Sequence, residues 1–199
     1  MSYSSEHKEQ SRLRILQAAA KLFCRYGFDA VTLGQIMKQA KMTHGAFYAH
    51  FSGKSALYEE ALKFAASNSY WARAKAKKNA LDINLKALVA RYLGKAHVSL
   101  EESLSPMTFL VTDASHKEEK VRKAYETCYF DLVDNLTAIM ERKGVRNAKV
   151  LAEDTIVSLV GTVTVARSIV SIEKQKAFLE RAQQRVFQKL EHAPTHGEG

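Results

Sequence analysis

The chain has 199 residues, 46% hydrophobic and 26% charged, with two cysteines, two prolines and nine glycines, a balance that suits one large globular domain or two small ones. Strands alternating Val, Ile or Thr with polar residues are hard to find, which disfavours a β-rich fold, and the uncharged stretch Thr155 to Ala166, between Asp154 and Arg167, is too short to span hydrocarbon. The formal net charge of +9 is uneven: residues 1–54 hold eight basic and three acidic side chains, residues 55–80 five and two, and the remainder 17 and 16. A polyanion would therefore meet the N-terminal quarter, where clustered cations can displace its counterions.

The polar N-terminus lacks the apolar core of a secretory signal, and Cys24 and Cys128 lie far apart in no paired spacing. The expected compartment is the reducing cytoplasm, with no membrane partner. From Ser11 to Tyr26 the apolar residues Ile15, Ala19, Leu22, Phe23 and Tyr26 recur at helical spacing, and Gly27 suits a left-handed helix end. Thr32-Leu33-Gly34-Gln35 has the form of a capping box, opening a short helix that ends near Ala40. Thr43 can cap another short helix, His44 to about His50, with Phe47 and Phe51 on one face.

A long helix is expected from about Ser55 to Lys78, its basic end (Arg73, Lys75, Lys77, Lys78) explained by the preference of cations for a helix C-terminus. Further helices read at about Ile83–His97, Pro106–Ala114, Lys117–Lys143, Asn147–Ser171 and Lys174–His192, and the tail 193–199, without apolar content, reads as disordered. The fold class is all-α: an N-terminal three-helix bundle over residues 1–54, then a larger helical domain over 55–192.

Two short helices separated by Lys41-Met42 form a helix-turn-helix whose second helix is free to enter a major groove. The segment Thr43 to His50 carries no acidic side chain and offers hydroxyls, imidazoles and small residues to phosphates and base edges. Here the sequence resembles the TetR family of bacterial repressors. The residues that carry the resemblance are Ile15-Leu16-x-Ala18-Ala19-x-x-Leu22-Phe23-x-x-x-Gly27-Phe28, Val31-Thr32-x-x-x-Ile36, Ala40-x-Met42-Thr43-x-Gly45-Ala46-Phe47-Tyr48-x-His50-Phe51 and Lys54-x-x-Leu57.

The resemblance implies that Thr32, Tyr48, His50 and Lys54 touch phosphates of double-stranded operator DNA, and that Thr43, His44, Gly45 and Ala46 face bases. Phe23, Ile36, Phe47 and Phe51 would form the small core. Lys41 stands where the family often has glycine, at a cost of about 1 kcal/mol for a left-handed turn, and Ala46 where it often has threonine. The family also implies a helical effector-binding and dimerisation domain, with its last two long helices forming a four-helix interface in a homodimer.

Phe64, Asn68, Trp71, Tyr92, Phe109, Tyr125, Cys128 and Tyr129 are the candidate lining of an effector pocket. Mostly apolar and short of basic groups, they suit a small hydrophobic or aromatic effector. The apolar band through Ile156, Val160, Gly161 and Val163, with Phe178 and Val186 on the last helix, exceeds what one face needs and reads as the dimer interface. No catalytic constellation, metal-ligand spacing or cofactor motif stands out. Ser52-Gly53-Lys54-Ser55 imitates the end of a phosphate-binding loop, but Tyr48 stands where the first glycine is required. A regulator without enzymatic activity is the leading reading, and a helical enzyme handling small molecules is the alternative.

Overall fold

The computed structural model describes residues 2–69, 71–72, 83–99 and 106–195. The regular elements among the described residues are helices: α1 (Ser2–Tyr26), α2 (Leu33–Gln39), a 3-10 helix (His44–Ala49), α3 (Lys54–Ser67), α4 (Leu85–Tyr92), α5 (Lys95–Val98), α6 (Pro106–Phe109), α7 (Val111–Ser115), α8 (Glu119–Arg142), α9 (Ala148–Ala166) and α10 (Ile172–Glu191). The chain divides into two compact units, Met1–Asn68 with Leu104–Cys128, and Ser69–Ser103 with Tyr129–Gly199. The unit holding the helix-turn-helix thus runs past the expected boundary at Lys54 and takes in α3, α6, α7 and the start of α8.

In the first unit, Ile15, Ala19 and Phe23 of α1 are buried with Ile36 and Met37 of α2, Phe47, Phe51, and Leu57 and Tyr58 of α3. Each fully buried large side chain contributes about 1.5–3 kcal/mol. The rings interlock, Tyr58 meeting Phe23 edge-on at 4.9 Å and Phe28 at 5.1 Å. Arg14 donates to the Ala40 carbonyl at 3.0 Å, tying α1 to the open end of α2. Two expectations are corrected here. α1 starts at Ser2, nine residues before the expected start, since no proline or glycine interrupts residues 2–10. α3 ends at Ser67 because the Ser67 hydroxyl and the Asn68 amide both bond back to the Phe64 carbonyl, at 3.0 and 2.9 Å, and stop the helix. The basic residues 73–78 and Tyr70 lie outside the described residues.

The second unit contains α4, whose Asn84 cap accepts from the Ala87 amide at 3.0 Å, and the pair α9 and α10. The single helix expected over Ile83–His97 breaks at Leu93-Gly94, where a Cβ on Gly94 would meet the Arg91 carbonyl at 3.1 Å. The helix expected over Pro106–Ala114, in the first unit, is likewise divided at Leu110. The α8 helix closes with Gly144 at φ +77, the Val145 amide reaching back to Met140 at 3.1 Å. The tail is a further correction: Thr195 bridges Val145, and the Arg146 amide donates to the Pro194 carbonyl at 2.7 Å, so residues 193–195 are held.

Candidate nucleic-acid interface

The site is built from the turn outward. Thr32 caps α2, its hydroxyl accepting from the Gln35 amide at 3.2 Å while Gln35 Oε1 accepts from the Thr32 amide at 2.7 Å. The helix then closes through the Lys41 amide to the Lys38 carbonyl (3.1 Å) and the Met42 amide to the Met37 carbonyl (2.9 Å), with Lys41 at φ +56. That bond pattern requires the left-handed residue, so lysine occupies the position where the family often has glycine.

The next segment differs from the expected α-helix: His44–Ala49 is a 3-10 helix, and Thr43 precedes it with extended backbone and no side-chain cap bond. The tighter winding follows from its anchors. Phe47 is fully buried and stacks on Phe51 at 5.7 Å, which pulls the segment inward at short spacing. What remains outside is the predicted recognition surface. Thr43, His44 and Gly45 are exposed and Ala46 is half-buried, and a Cβ on Gly45 would touch nothing within 4 Å. Tyr48 is 64% exposed and braced edge-on by Phe47 at 5.1 Å, so its hydroxyl is held out on a rigid ring.

His50 and Lys54 flank this surface. The His50 Nδ1 is buried without a hydrogen-bond partner, and burial, then the charges of Lys8 and Arg12, hold its pKa below the usual histidine value. It is therefore a neutral imidazole near pH 7. Lys54 opens α3 with its Nζ 4.2 Å from the centre of the Phe28 ring. Burial lowers its pKa, with Asp29 opposing. Phe28, Asp29, Asp113 and Lys117 were not among the sequence-predicted site residues. Phe28 meets Lys54 directly, while Asp113 and Lys117 join Phe28 and Asp29 through contacts spanning 85 and 88 residues, for which no local pattern exists.

The effector candidates fall in both units. In the first, Phe109 and Cys128 are buried, the Tyr125 hydroxyl donates to the Met107 carbonyl at 2.8 Å, and Phe64 is half-buried. Asn68 is exposed, and its side-chain amide donates to the Phe64 carbonyl at 2.9 Å. In the second, Trp71 meets Tyr92 edge-on at 6.3 Å, both buried, and Tyr129 is half-buried.

The interface candidates are sorted by the two faces of α9. Ile156 and Val163, with Val186 of α10, are buried within a single chain, which corrects their placement at an interface: the helical period turns them into the unit's own core. Gly161 is exposed, and Val160 and Phe178 are half-buried. The outward residues that pattern reading missed are Val150, Val157 and Val165, each more than half exposed. A groove between α9 and α10 is lined by Val157, Gly161, Val165, Phe178 and Val186.

Comparison with known proteins bears on this arrangement. The sequence pattern of the family described as bacterial regulatory proteins, tetR family, matches residues 15–61, the segment from mid-α1 into α3. The HTH-type transcriptional regulator AcrR of Shigella flexneri is 37% identical over 65 residues, 33% of this chain and 30% of that one. The uncharacterized HTH-type transcriptional regulator YfiR of Bacillus subtilis is 22% identical over 142 residues, 70% of this chain and 68% of that one. The aligned segment thus spans less than a third of AcrR.

Among solved structures, reduced NemR of E. coli shares the fold with a TM-score of 0.73 at 18% identity, covering 94% of this chain and 99% of that one. A TetR transcriptional regulator from Chloroflexus aurantiacus does so with a TM-score of 0.72 at 19% identity, covering 94% and 98%. AcrR, YfiR and the Chloroflexus aurantiacus protein are transcriptional regulators by name. Residues 15–61 thus carry the helix-turn-helix pattern of the tetR family of bacterial regulatory proteins, and the chain shares its fold along nearly its whole length with solved structures that include TetR-family regulators.

Proposed function

We propose that the chain is a DNA-binding transcriptional regulator that acts as a homodimeric repressor on a palindromic operator and is released by a small hydrophobic or aromatic effector. The observation that carries this reading is the acid-free exposed surface Thr43 to Tyr48, mounted on the buried Phe47 and flanked by Lys54. Thr43, His44, Gly45 and Ala46 are assigned to base edges, where the Ala46 methyl suits thymine. Tyr48, Lys54 and the neutral His50 are assigned to phosphates, with Thr32 bracing the start of α2. Pairing through the outward face of α9 would set two such surfaces at a fixed spacing, as half-sites demand. Within the second unit, the buried pair Trp71 and Tyr92 supplies apolar area for an uncharged effector.

Footprinting over the upstream region of the chain's own gene tests this reading. Binding is expected to weaken with salt with a log–log slope of about −2, for the one phosphate that Lys54 neutralises in each protomer of a dimer. Tyr48→Ala and Lys54→Ala should weaken binding to all duplexes alike, while changes at His44 or Ala46 should alter which sequence is preferred. A slope shallower than about −1 would sink the reading, because Lys54 would then neutralise no phosphate in one or both protomers.

A further inference from the structure

In the first unit two ammonium groups share one aromatic ring. Lys54 Nζ lies 4.2 Å and Lys117 Nζ 4.8 Å from the centre of Phe28. Lys117 reaches there from the segment between α7 and α8, far outside the matched residues 15–61. It pairs with Asp29 Oδ2 at 2.8 Å and stands 3.7 Å from Asp113 Oδ1. Asp113 in turn accepts from the Phe28 amide at 3.2 Å and from the Tyr58 hydroxyl. Asp113 is thereby satisfied and fixed, and it holds both the turn after α1 and the base of Lys117.

Asp29 is different. It is the one acidic residue between positions 10 and 58, its side chain is 83% exposed, and Lys117, only 14% exposed, is its ion-pair partner. Two cations are thus within reach of Asp29, and they are not equivalent. Lys54 stands at the start of α3 beside the recognition surface, while Lys117 is held down by Asp113. A carboxylate left unpaired here would draw the Lys54 ammonium to itself and repel an approaching phosphate, effects that salt screens beyond about 10 Å at 0.1 M.

We propose that Lys117 guards the DNA-binding face electrostatically: by occupying Asp29 it keeps the lone carboxylate of the helix-turn-helix from capturing Lys54, and so leaves the Lys54 ammonium available to a DNA phosphate. The inference rests on the DNA-binding reading above, and it makes a residue of the C-terminal half a determinant of affinity for the phosphate backbone, without contact to DNA.

The test uses the full chain and a fluorescent duplex of generic sequence, about 30 base pairs long, titrated by anisotropy at about 0.1 M salt, since phosphate contacts are sequence-independent. Lys117→Met is expected to bind about five- to tenfold more weakly, the loss shrinking at about 0.4 M salt as screening shortens. Lys117→Met combined with Asp29→Asn is expected to return within about twofold of the parent, because the repelling charge is gone. Asp29→Asn alone should bind at least as tightly as the parent, and this variant decides the matter should Lys117→Met fail to fold. The inference is overturned if Lys117→Met binds like the parent, if Asp29→Asn leaves its defect unrepaired, or if Asp29→Asn alone binds more weakly. Failure of the parent chain to bind any duplex at low salt would overturn the DNA-binding reading itself, and the inference with it.

Discussion

Lys41 and Gly161 are each the wrong residue for their own backbone, in opposite senses. Lys41 holds a left-handed conformation, φ +56, that glycine adopts without strain, whereas Gly161 sits inside α9, where alanine is favoured. Each choice costs about 1 kcal/mol. In the first unit the strained turn sends the chain into the 3-10 helix that carries the recognition surface. In the second, the missing side chain leaves the outward face of α9 open, with nothing within 4 Å of where a Cβ would stand. Under the proposed function both costs are offset by a partner, DNA in one case and a second protomer in the other.

The largest effect that would break this comparison concerns the two faces of α9. Val163 is fully buried and Val157 is 60% exposed. Val163→Glu is expected to cost several kcal/mol by burying an unpaired carboxylate, read as loss of the cooperative thermal transition. Val157→Glu should melt within a few degrees of the parent yet sediment as a monomer where the parent is a dimer. A dimeric Val157→Glu would place the association surface elsewhere.

Next in size is a contrast in acid sensitivity. His97, stacked on Tyr92 at 4.3 Å, has its pKa pushed down to about 4 by burial and then by the charge of Arg91. Its folded value lies below the unfolded one, so the unfolded chain binds the proton more readily, and stability is lost as pH falls from about 6.5 to about 4, at up to about 1.4 kcal/mol per pH unit. His97→Phe keeps the ring and removes the proton. The drop in urea midpoint between neutral pH and about pH 4.5 should be smaller in this variant than in the parent, and an equal drop would show that His97 does not govern acid sensitivity. His50, in the first unit, is shifted in the same direction but less buried. Bound phosphate favours its protonated form, so DNA affinity should rise as pH falls below neutral, and His50→Ala should flatten that rise.

The smallest effects sharpen the opening contrast. Lys41→Gly should raise stability by up to about 1 kcal/mol by relieving the left-handed strain. Gly161→Ala should raise the stability of the isolated chain by about 0.5–1 kcal/mol, since the added methyl meets nothing there, while weakening association if helices cross closely at this point. Calorimetry at two protein concentrations separates the two contributions, and a Gly161→Ala variant that associates as the parent does would take this residue out of the interface.

The helices of the N-terminal region, the capping box at Thr32, the left-handed ends at Gly27 and Lys41 and the inward Phe47 were legible from the sequence, because each depends on residues no more than a few positions apart. The short helical segment after Thr43 was legible too, though not its 3-10 winding, which accompanies the burial of Phe47 against Phe51. The all-α class and the last three long helices followed from periodicity, whereas the stop at Ser67 and the breaks at Leu93-Gly94 and Leu110 did not. The start of α1, which no proline or glycine blocks, and the stop at Ser67, set by bonds back to the Phe64 carbonyl, are local features that apolar periodicity does not mark. Tertiary structure decided the rest. Whether a valine of α9 points in or out depends on where α10 lies, and a nearly all-apolar helix carries too little polar contrast to reveal it. The pairing of Asp29 with Lys117, 88 residues apart, has no periodicity to announce it, because an ion pair needs only two side chains brought together by the packing of other residues.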